Sequence, residues 1–315
     1  MRSKAAAAVV IIALAASGCT QNRKKRIAVI PKGTSHEFWL AVREGAMKAG
    51  RDFNVEILWN GPPLETEYSR QIQILDSMIS QRVDGIAIAA AERKALVGPV
   101  ERATREGIPV TVFDSGLDTT NYLSYVGTDN VAAGRLGAQT LAALVNNKGT
   151  VGMIMHAPGS QSTMDREKGF VDAIQKEFPN VRIAAMQFGM SDRAKARAAA
   201  ENILTAHPDL DGLFASSEPS SIGAALAVKA RNLSGKLKLV AFDTSDALIE
   251  DLRGGIIDAI VVQDPQGMGY EAVHTVVDKL NGKQPPKRID MQAKVLRRGD
   301  VGQAPSRTAQ AGTVK

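Results

Sequence analysis

The feature that most constrains this chain is a repeated alternation of short unbroken apolar runs with stretches of helical periodicity. Ile27 to Ile30 is the first run, closed by a turn at Pro31-Lys32-Gly33. Phe38, Ala41, Val42, Gly45, Ala46 and Ala49 then fall on one helical face. Val55 to Leu58 predicts a second strand, and Ile72, Leu75, Met78 and Ile79 a second helix ending before Val83-Asp84-Gly85. Ile86 to Ala89 predicts a third strand, 95–106 a third helix, and Pro109 to Phe113 a fourth strand. The pattern restarts at Thr150 to Met155 and runs through a helix over Asp165 to Phe178 and a strand over Val181 to Gln187. A helix over Ala194 to Ala206, a strand over Gly212 to Ala215 and a helix over Ser221 to Ala230 continue it. Leu237 to Phe242 and Asp258 to Val262 close the series as strands. Strands apolar on both faces need helices above and below them, which means parallel sheets. The expected fold is α/β, with two similar doubly wound parallel-sheet lobes in succession.

Length agrees: 315 residues suit two domains of about 150 each. A hydrophobic fraction of 44% lets both bury a core. The net charge of +6 is spread thinly, and no basic stripe is interleaved with aromatics, which argues against a nucleic-acid surface. The single cysteine, Cys19, excludes a disulfide framework and a cysteine-based zinc site. No apolar run reaches the roughly eighteen residues that a membrane span needs.

Residues 1–18 read as an export signal, with Arg2 and Lys4 ahead of the apolar stretch Ala5 to Ala16. The approach to Cys19 through Ala16-Ser17-Gly18 resembles a bacterial lipoprotein signal, in which the cysteine is lipidated and becomes the new N-terminus. An ordinary secretory signal is the alternative. Residues 19–25 are expected to be a polar tether, and 303–315 a disordered low-complexity tail.

Enzyme signatures come close and fail. His36-Glu37-Phe38-Trp39-Leu40 starts like a zinc-protease motif, but Leu40 stands where the second histidine is required. Gly267-Met268-Gly269-Tyr270-Glu271-Ala272 fits a dinucleotide fingerprint in letters, yet Asp264-Pro265-Gln266 separates it from its strand. His156, His207 and His274 share no ligand spacing, and His207 before Pro208 suggests a helix end. No metal or cofactor is expected.

Ligands of open parallel sheets bind beyond the carboxyl ends of the strands. Lys32 to Trp39, Asp114-Ser115, Ser216 to Pro219, Asp243 and Gln263-Asp264 lie there and come from both halves, so the cleft between lobes is the candidate site. Asp114 and Asp243 could form an acid/base pair, but no nucleophile or metal signature accompanies them.

Several short motifs follow one order: Ile27-Ala28-Val29-Ile30, His36-Glu37-Phe38-Trp39, Val83-Asp84-Gly85-Ile86, Gly107-Ile108-Pro109-Val110 and Phe113-Asp114-Ser115. Gly127-Thr128-Asp129-Asn130, Arg166-Glu167-Lys168-Gly169-Phe170, Leu204 to Asp209 and Ala241-Phe242-Asp243-Thr244 come after them. In this the chain resembles the periplasmic sugar-binding proteins of the ribose/galactose type, across about residues 26 to 300. The resemblance implies the type I periplasmic binding fold, two lobes joined by a three-crossover hinge. Gly127-Thr128-Asp129 resembles the first crossover, Gln263-Asp264 the second, and the third is expected near Arg288 to Asp290. The implied lobes are 26–128 plus 264–290 and 129–263 plus 291–302.

The resemblance also implies roles for single residues. Phe38 and Trp39 would be aromatic walls against the apolar faces of a sugar, with packing at the helix start as the alternative. His36 takes the place of a hydrogen-bonding asparagine. Asp114 and Asp243 match ligand-binding carboxylates, although Asp243 could instead cap the helical run after it. Gln263 matches a binding glutamine beside the hinge. Departures are Ser115 and Met164 for two binding arginines, with Arg166 nearby as a substitute guanidinium or an ion-pair partner, and Ser217 for an asparagine. Lys32 after Pro31 also resembles the start of autoinducer-2 binders.

The expectation is a non-enzymatic solute-binding protein of the periplasm or cell envelope, monomeric and anchored through Cys19. It would deliver a monosaccharide or polyol to the permease subunits of an ABC transporter. The alternatives are a sensor that hands its closed form to a membrane receptor, and a cleft hydrolase using Asp114 and Asp243. A transcriptional regulator is disfavoured, because a signal stretch takes the place of DNA-binding helices.

Overall fold

In the computed structural model, which describes residues 23–302, the alternation forms two six-stranded sheets. The first holds β1 (Arg26–Ile30), β2 (Glu56–Trp59), β3 (Gly85–Ile88), β4 (Val110–Phe113) and β5 (Ser124–Thr128), in the order β2-β1-β3-β4-β5. The second repeats that order with β6 (Gly149–Met155), β7 (Val181–Phe188), β8 (Gly212–Ala215), β9 (Lys238–Phe242) and β10 (Ala259–Val262). All of these strands pair in parallel. A late strand completes each edge: β11 (Arg288–Met291) runs parallel to β5, and β12 (Lys294–Arg297) antiparallel to β10. The sheets are therefore parallel but for one edge strand.

Pleating divides each strand between two cores. Ile27 and Val29 of β1 pack with α1 (Glu37–Asp52) and α9 (Pro265–Leu280), while Ala28 and Ile30 face α2 (Tyr68–Ser80) and α3 (Val97–Arg105). In the second lobe Val151 and Met153 pack with α4 (Asn130–Leu144) and α5 (Gln161–Glu177). Ile154 joins the core under α6 (Arg193–Ala206), α7 (Glu218–Ala230) and α8 (Asp246–Gly254).

Two of the helix pairs touch backbone to backbone. A Cβ on Gly45 of α1 would lie 1.9 Å from the Gln266 carbonyl oxygen of α9, and one on Gly269 2.0 Å from that of Val42. The second lobe repeats the device: Gly134 of α4 sits 1.8 Å from the Arg166 oxygen and Gly169 of α5 2.2 Å from that of Val131, measured the same way. Gly269 of the fingerprint-like stretch thus lies inside α9 and serves helix packing, as its separation from the strand suggested.

Sequence periodicity left β5, α4, α8, α9, β11 and β12 unassigned. Burial explains α4, because Ala133, Gly134, Gly137, Ala138, Thr140, Leu141 and Ala142 are all covered and no polar face alternates with an apolar one. The chain changes sheets three times: between β5 and α4, between β10 and α9, and across Gln292-Ala293 between β11 and β12. The third change comes later than the expected Arg288 to Asp290, which lie inside β11, so that Met291 belongs to the first sheet. The export signal, Cys19 and the 303–315 tail lie outside the described residues. Among the described residues, no helix is long and apolar enough to cross a membrane.

Candidate functional site

Asp114 and Asp243 occupy matching places, one residue beyond β4 and β9, the fourth strand of each lobe in chain order. Both have left-handed backbones, φ +56° and +66°, which a residue with a Cβ adopts at a cost. Each turn is held from outside. Tyr125 donates its hydroxyl to the Asp114 carbonyl at 3.0 Å. Ser221 Oγ accepts from the Phe242 N–H and donates to the Phe242 carbonyl, at 2.8 and 2.9 Å. Ser245 caps α8 by accepting from Leu248 N–H, so Asp243 is not the cap of the run that follows it. Its Oδ2 instead accepts from the Glu218 N–H at the start of α7, 3.1 Å away.

The two aspartates line one narrow cavity of about 30 Å³, far below the roughly 300–1,000 Å³ usual for small-molecule sites. Of the ten residues expected to bind, Lys32, His36, Phe38, Trp39, Asp114, Arg166, Ser217, Asp243 and Gln263 line it. Ser115 is not on its wall: the side chain is buried, and Oγ accepts from the Ser162 N–H of α5 at 3.1 Å. Met164 points away, 37% exposed, and Arg166 is the residue of that helix that enters the cavity.

Sequence reasoning missed the centre of the site. Glu65, in the loop between β2 and α2, is buried and accepts from Trp39 Nε1 at 2.8 Å, His36 Nδ1 at 3.0 Å and His156 Nε2 at 3.0 Å. Burial works to raise its pKa, but His156, His36 and Lys32 outweigh that and hold the carboxyl well below the ordinary range. Burial likewise opposes charge on His36, and Glu65 more than offsets it, raising that pKa. His156 stands one residue past β6, in the second lobe, so its bond to Glu65 spans the cleft. A signal for it existed, since it follows its strand as Asp114 and Asp243 follow theirs. Glu65 had none: it sits in an aperiodic Gly61-Pro62-Pro63-Leu64 loop and is reached only because Gly33 leaves room beside it.

Lys32 makes a second crossing. Its ammonium lies 2.8 Å from Asp114 Oδ2, and it donates to Ser162 Oγ at 3.1 Å and Ser160 Oγ at 3.3 Å in the other lobe. Arg166 is fully buried: Nε and Nη2 donate to Asn130 Oδ1, Nη1 to the Ser216 carbonyl, and the guanidinium lies 3.5 Å from the Phe242 ring centre. Gln263 joins the two early crossings, accepting from Thr128 Oγ1 at 2.6 Å and donating to Asp243 Oδ1 at 2.7 Å. Burial raises the pKa of Asp243, although the Arg166 charge and the Gln263 amide act against it. Burial raises those of Glu167 and Glu218 too. Chemically, the walls offer aromatic and apolar faces from Phe38, Trp39 and Pro219, ringed by carboxylates and fixed cations. Among the described residues, no group of three or more His, Cys, Asp or Glu side chains is arranged to hold a metal ion.

Residues 27–284 match the periplasmic binding protein domain family. The chain is 31% identical to a D-ribose/D-allose-binding protein of Pseudomonas aeruginosa, over 85% of this chain and 86% of that one. Among solved structures it is similar to an Agrobacterium radiobacter carbohydrate transporter solute-binding protein in complex with D-arabinose. That match has a TM-score of 0.86 and 30% identity, covering 89% of this chain and 96% of that one. An Agrobacterium vitis ABC transporter solute-binding protein bound with alpha-D-tagatopyranose matches at a TM-score of 0.85 and 30% identity, with 89% and 97% covered.

Proposed function

The chain belongs to the periplasmic binding protein domain family, and on that premise we propose that it captures a monosaccharide or polyol between its lobes for the permease subunits of an ABC transporter. One observation carries the reading. Two buried carboxylates, one from each lobe at matching strand ends, meet over a cavity walled by Phe38 and Trp39. Carboxylates take hydroxyl donors in strong charge-assisted bonds, and flat aromatic surfaces take the apolar face of a sugar ring. Relatives named for ribose, allose, arabinose and tagatose support that ligand class, and none of those names favours autoinducer-2.

In this proposal the lobes, 26–128 with 264–291 and 129–263 with 292–302, close about the three crossings when a ligand touches both. Lys32, His36, Trp39, Asp114, Arg166, Ser217, Asp243 and Gln263 contribute to the grip, with Ser115 behind them. Sugar leaves the site unaltered, as the binding-protein names of the relatives suggest. Family membership implies a place outside the cytoplasm, and attachment through a lipid on Cys19 is the finer proposal. Replacing Cys19 by Ser should then release the protein from membranes.

A thermal-shift screen against pentoses, hexoses, inositols and sugar alcohols tests the core of this. A ligand at a hundred times its dissociation constant adds about 2.7 kcal/mol to the folded state. A shift confined to one sugar class, with the sugar recovered unchanged, is the expected outcome; no shift with any of them overturns the reading. Asp114→Ala and Asp243→Ala should each weaken binding of the responding sugar by about tenfold or more, the loss of roughly one charged hydrogen bond.

A further inference from the structure

The buried carboxylates around the cavity are not equally satisfied. Glu65 has three donors, Glu167 accepts from His156 N–H and Ser216 Oγ at 2.8 Å each, and Asp243 has the Gln263 amide and the Glu218 N–H. Glu218 Oε2 and Asp114 Oδ2 are buried with no hydrogen-bond partner, and both residues line the cavity from opposite lobes. For Asp114 the Lys32 ammonium is in ion-pair range without being aligned for a hydrogen bond.

Glu218 is held by its other oxygen. Oε1 pairs with Arg193, whose side chain is 43% exposed, whereas that of Glu218 is 1% exposed. Its backbone is fixed by the bond to Asp243, and as the first residue of α7 it sits where a helix favours negative charge. A buried acceptor left without a donor costs free energy, so it needs a reason. The cationic groups that act on it do not serve this oxygen: Arg193 holds Oε1, and His36, whose Nδ1 bonds Glu65, acts on Glu218 through its charge without a hydrogen bond to Oε2. The capacity left unmet on this wall is for donors.

We propose that Glu218 is a specificity-determining ligand contact, its Oε2 accepting a sugar hydroxyl on the second-lobe side while Asp114 Oδ2 accepts one on the first. The inference rests on the sugar-binding reading and sharpens it to neutral polyhydroxylated ligands. A carboxylate or phosphate group brings acceptors and negative charge to two acceptors that already carry it, and is rejected for that reason.

Calorimetric titration of the full chain with D-ribose, D-allose, D-arabinose and D-tagatose identifies the tightest of the four. That sugar, its monodeoxy series and its sugar acid are then titrated into the wild type and Glu218→Gln. In the variant Arg193 holds the amide oxygen, which turns an NH₂ donor toward the ligand. Affinity for the parent sugar should fall by about tenfold or more. One deoxy analogue, lacking the matched hydroxyl, should bind both proteins alike, while the others keep the gap. The sugar acid should bind the wild type at least about a hundredfold more weakly than its parent. Unchanged affinity for the parent, an equal penalty across the whole deoxy series, or tight binding of the acid overturns the inference and leaves sugar binding standing. Should none of the four bind, the sugar that responds in the thermal-shift screen takes their place, and no response to any member of that panel overturns both. Should the variant not fold, a crystal structure of the wild type with the sugar decides. An Oε2 to ligand oxygen distance near 2.7 Å upholds the inference, and one beyond about 3.5 Å overturns it.

Discussion

The two lobes share a plan and differ in how they keep their carboxylates. Each has the same strand order, a glycine-seated helix pair, and an aspartate in left-handed backbone one residue past its fourth strand. In the first lobe the buried acids have charged or chargeable company, Lys32 for Asp114 and two histidines for Glu65. In the second, Asp243 is held by an amide and a backbone N–H, and burial raises the pKa values of Asp243, Glu167 and Glu218. The backbone requirements are repeated while the electrostatics are not. One side of the cleft sets its acids against Lys32 and two histidines, while on the other burial raises the pKa values of the acids even with Arg166 and Arg193 at hand.

That contrast breaks first at the two aspartates. Asp114→Asn leaves the Lys32 charge buried without its counter-ion and should cost roughly 3–5 kcal/mol of stability at neutral pH. Asp243→Asn removes a charge that burial disfavours and should leave the melting temperature unchanged or raise it. Calorimetric melts of both variants without sugar decide this, and equal losses would mean the lobes are electrostatically alike after all.

The shared element is tested next. Gly45→Ala in α1 and Gly134→Ala in α4 each force apart helices whose backbones touch, and should destabilise by about 1–3 kcal/mol. Urea denaturation measures both. A large loss for one and none for the other would show that only one lobe depends on the close crossing.

The smallest effect is on pH dependence. Glu65 has a depressed pKa, so its contribution is complete above the ordinary carboxylate value of about 4.3 and is lost as pH falls through its lower folded value. Because Glu65 also raises the pKa of His36, the stability difference between wild type and Glu65→Gln should grow as pH falls through the histidine range toward about 6.5 and shrink only in acid below about 4.3. Asp243 has a raised pKa, so its penalty is complete above the folded value and fades as pH falls toward about 3.9. The difference between wild type and Asp243→Asn should close over that higher range. Two curves that close over the same pH interval would remove the distinction.

Much of this was legible in the residues. Four-residue strands such as Ile27–Ile30 announced themselves because parallel strands are covered on both faces, and the strand-end rule reached Lys32, Asp114, Asp243 and the span holding Glu218. It reached His156 only in principle, since His156 follows β6 and was set aside for lacking metal spacing. Glu65 was beyond reach, because a loop residue gathered by Trp39, His36 and His156 is defined by tertiary contact and not by period. The edge strands β11 and β12 escaped for the opposite reason to α4: half exposed and short, they carry too little apolar pattern to be read.

The glycine contacts also bear on mechanics. α4, which leaves the first crossing, is seated against α5, the helix that carries Arg166; α9, which leaves the second, is seated against α1, which carries Phe38 and Trp39. Each crossing thus drives one wall of the cavity through a joint of main chain on main chain. Such a joint has no side-chain rotamers to take up slack. In the proposed closing motion a few degrees of rotation at the crossings would reach the walls undiminished, the two helix pairs acting as stiff lever arms and the crossings as their fulcrum.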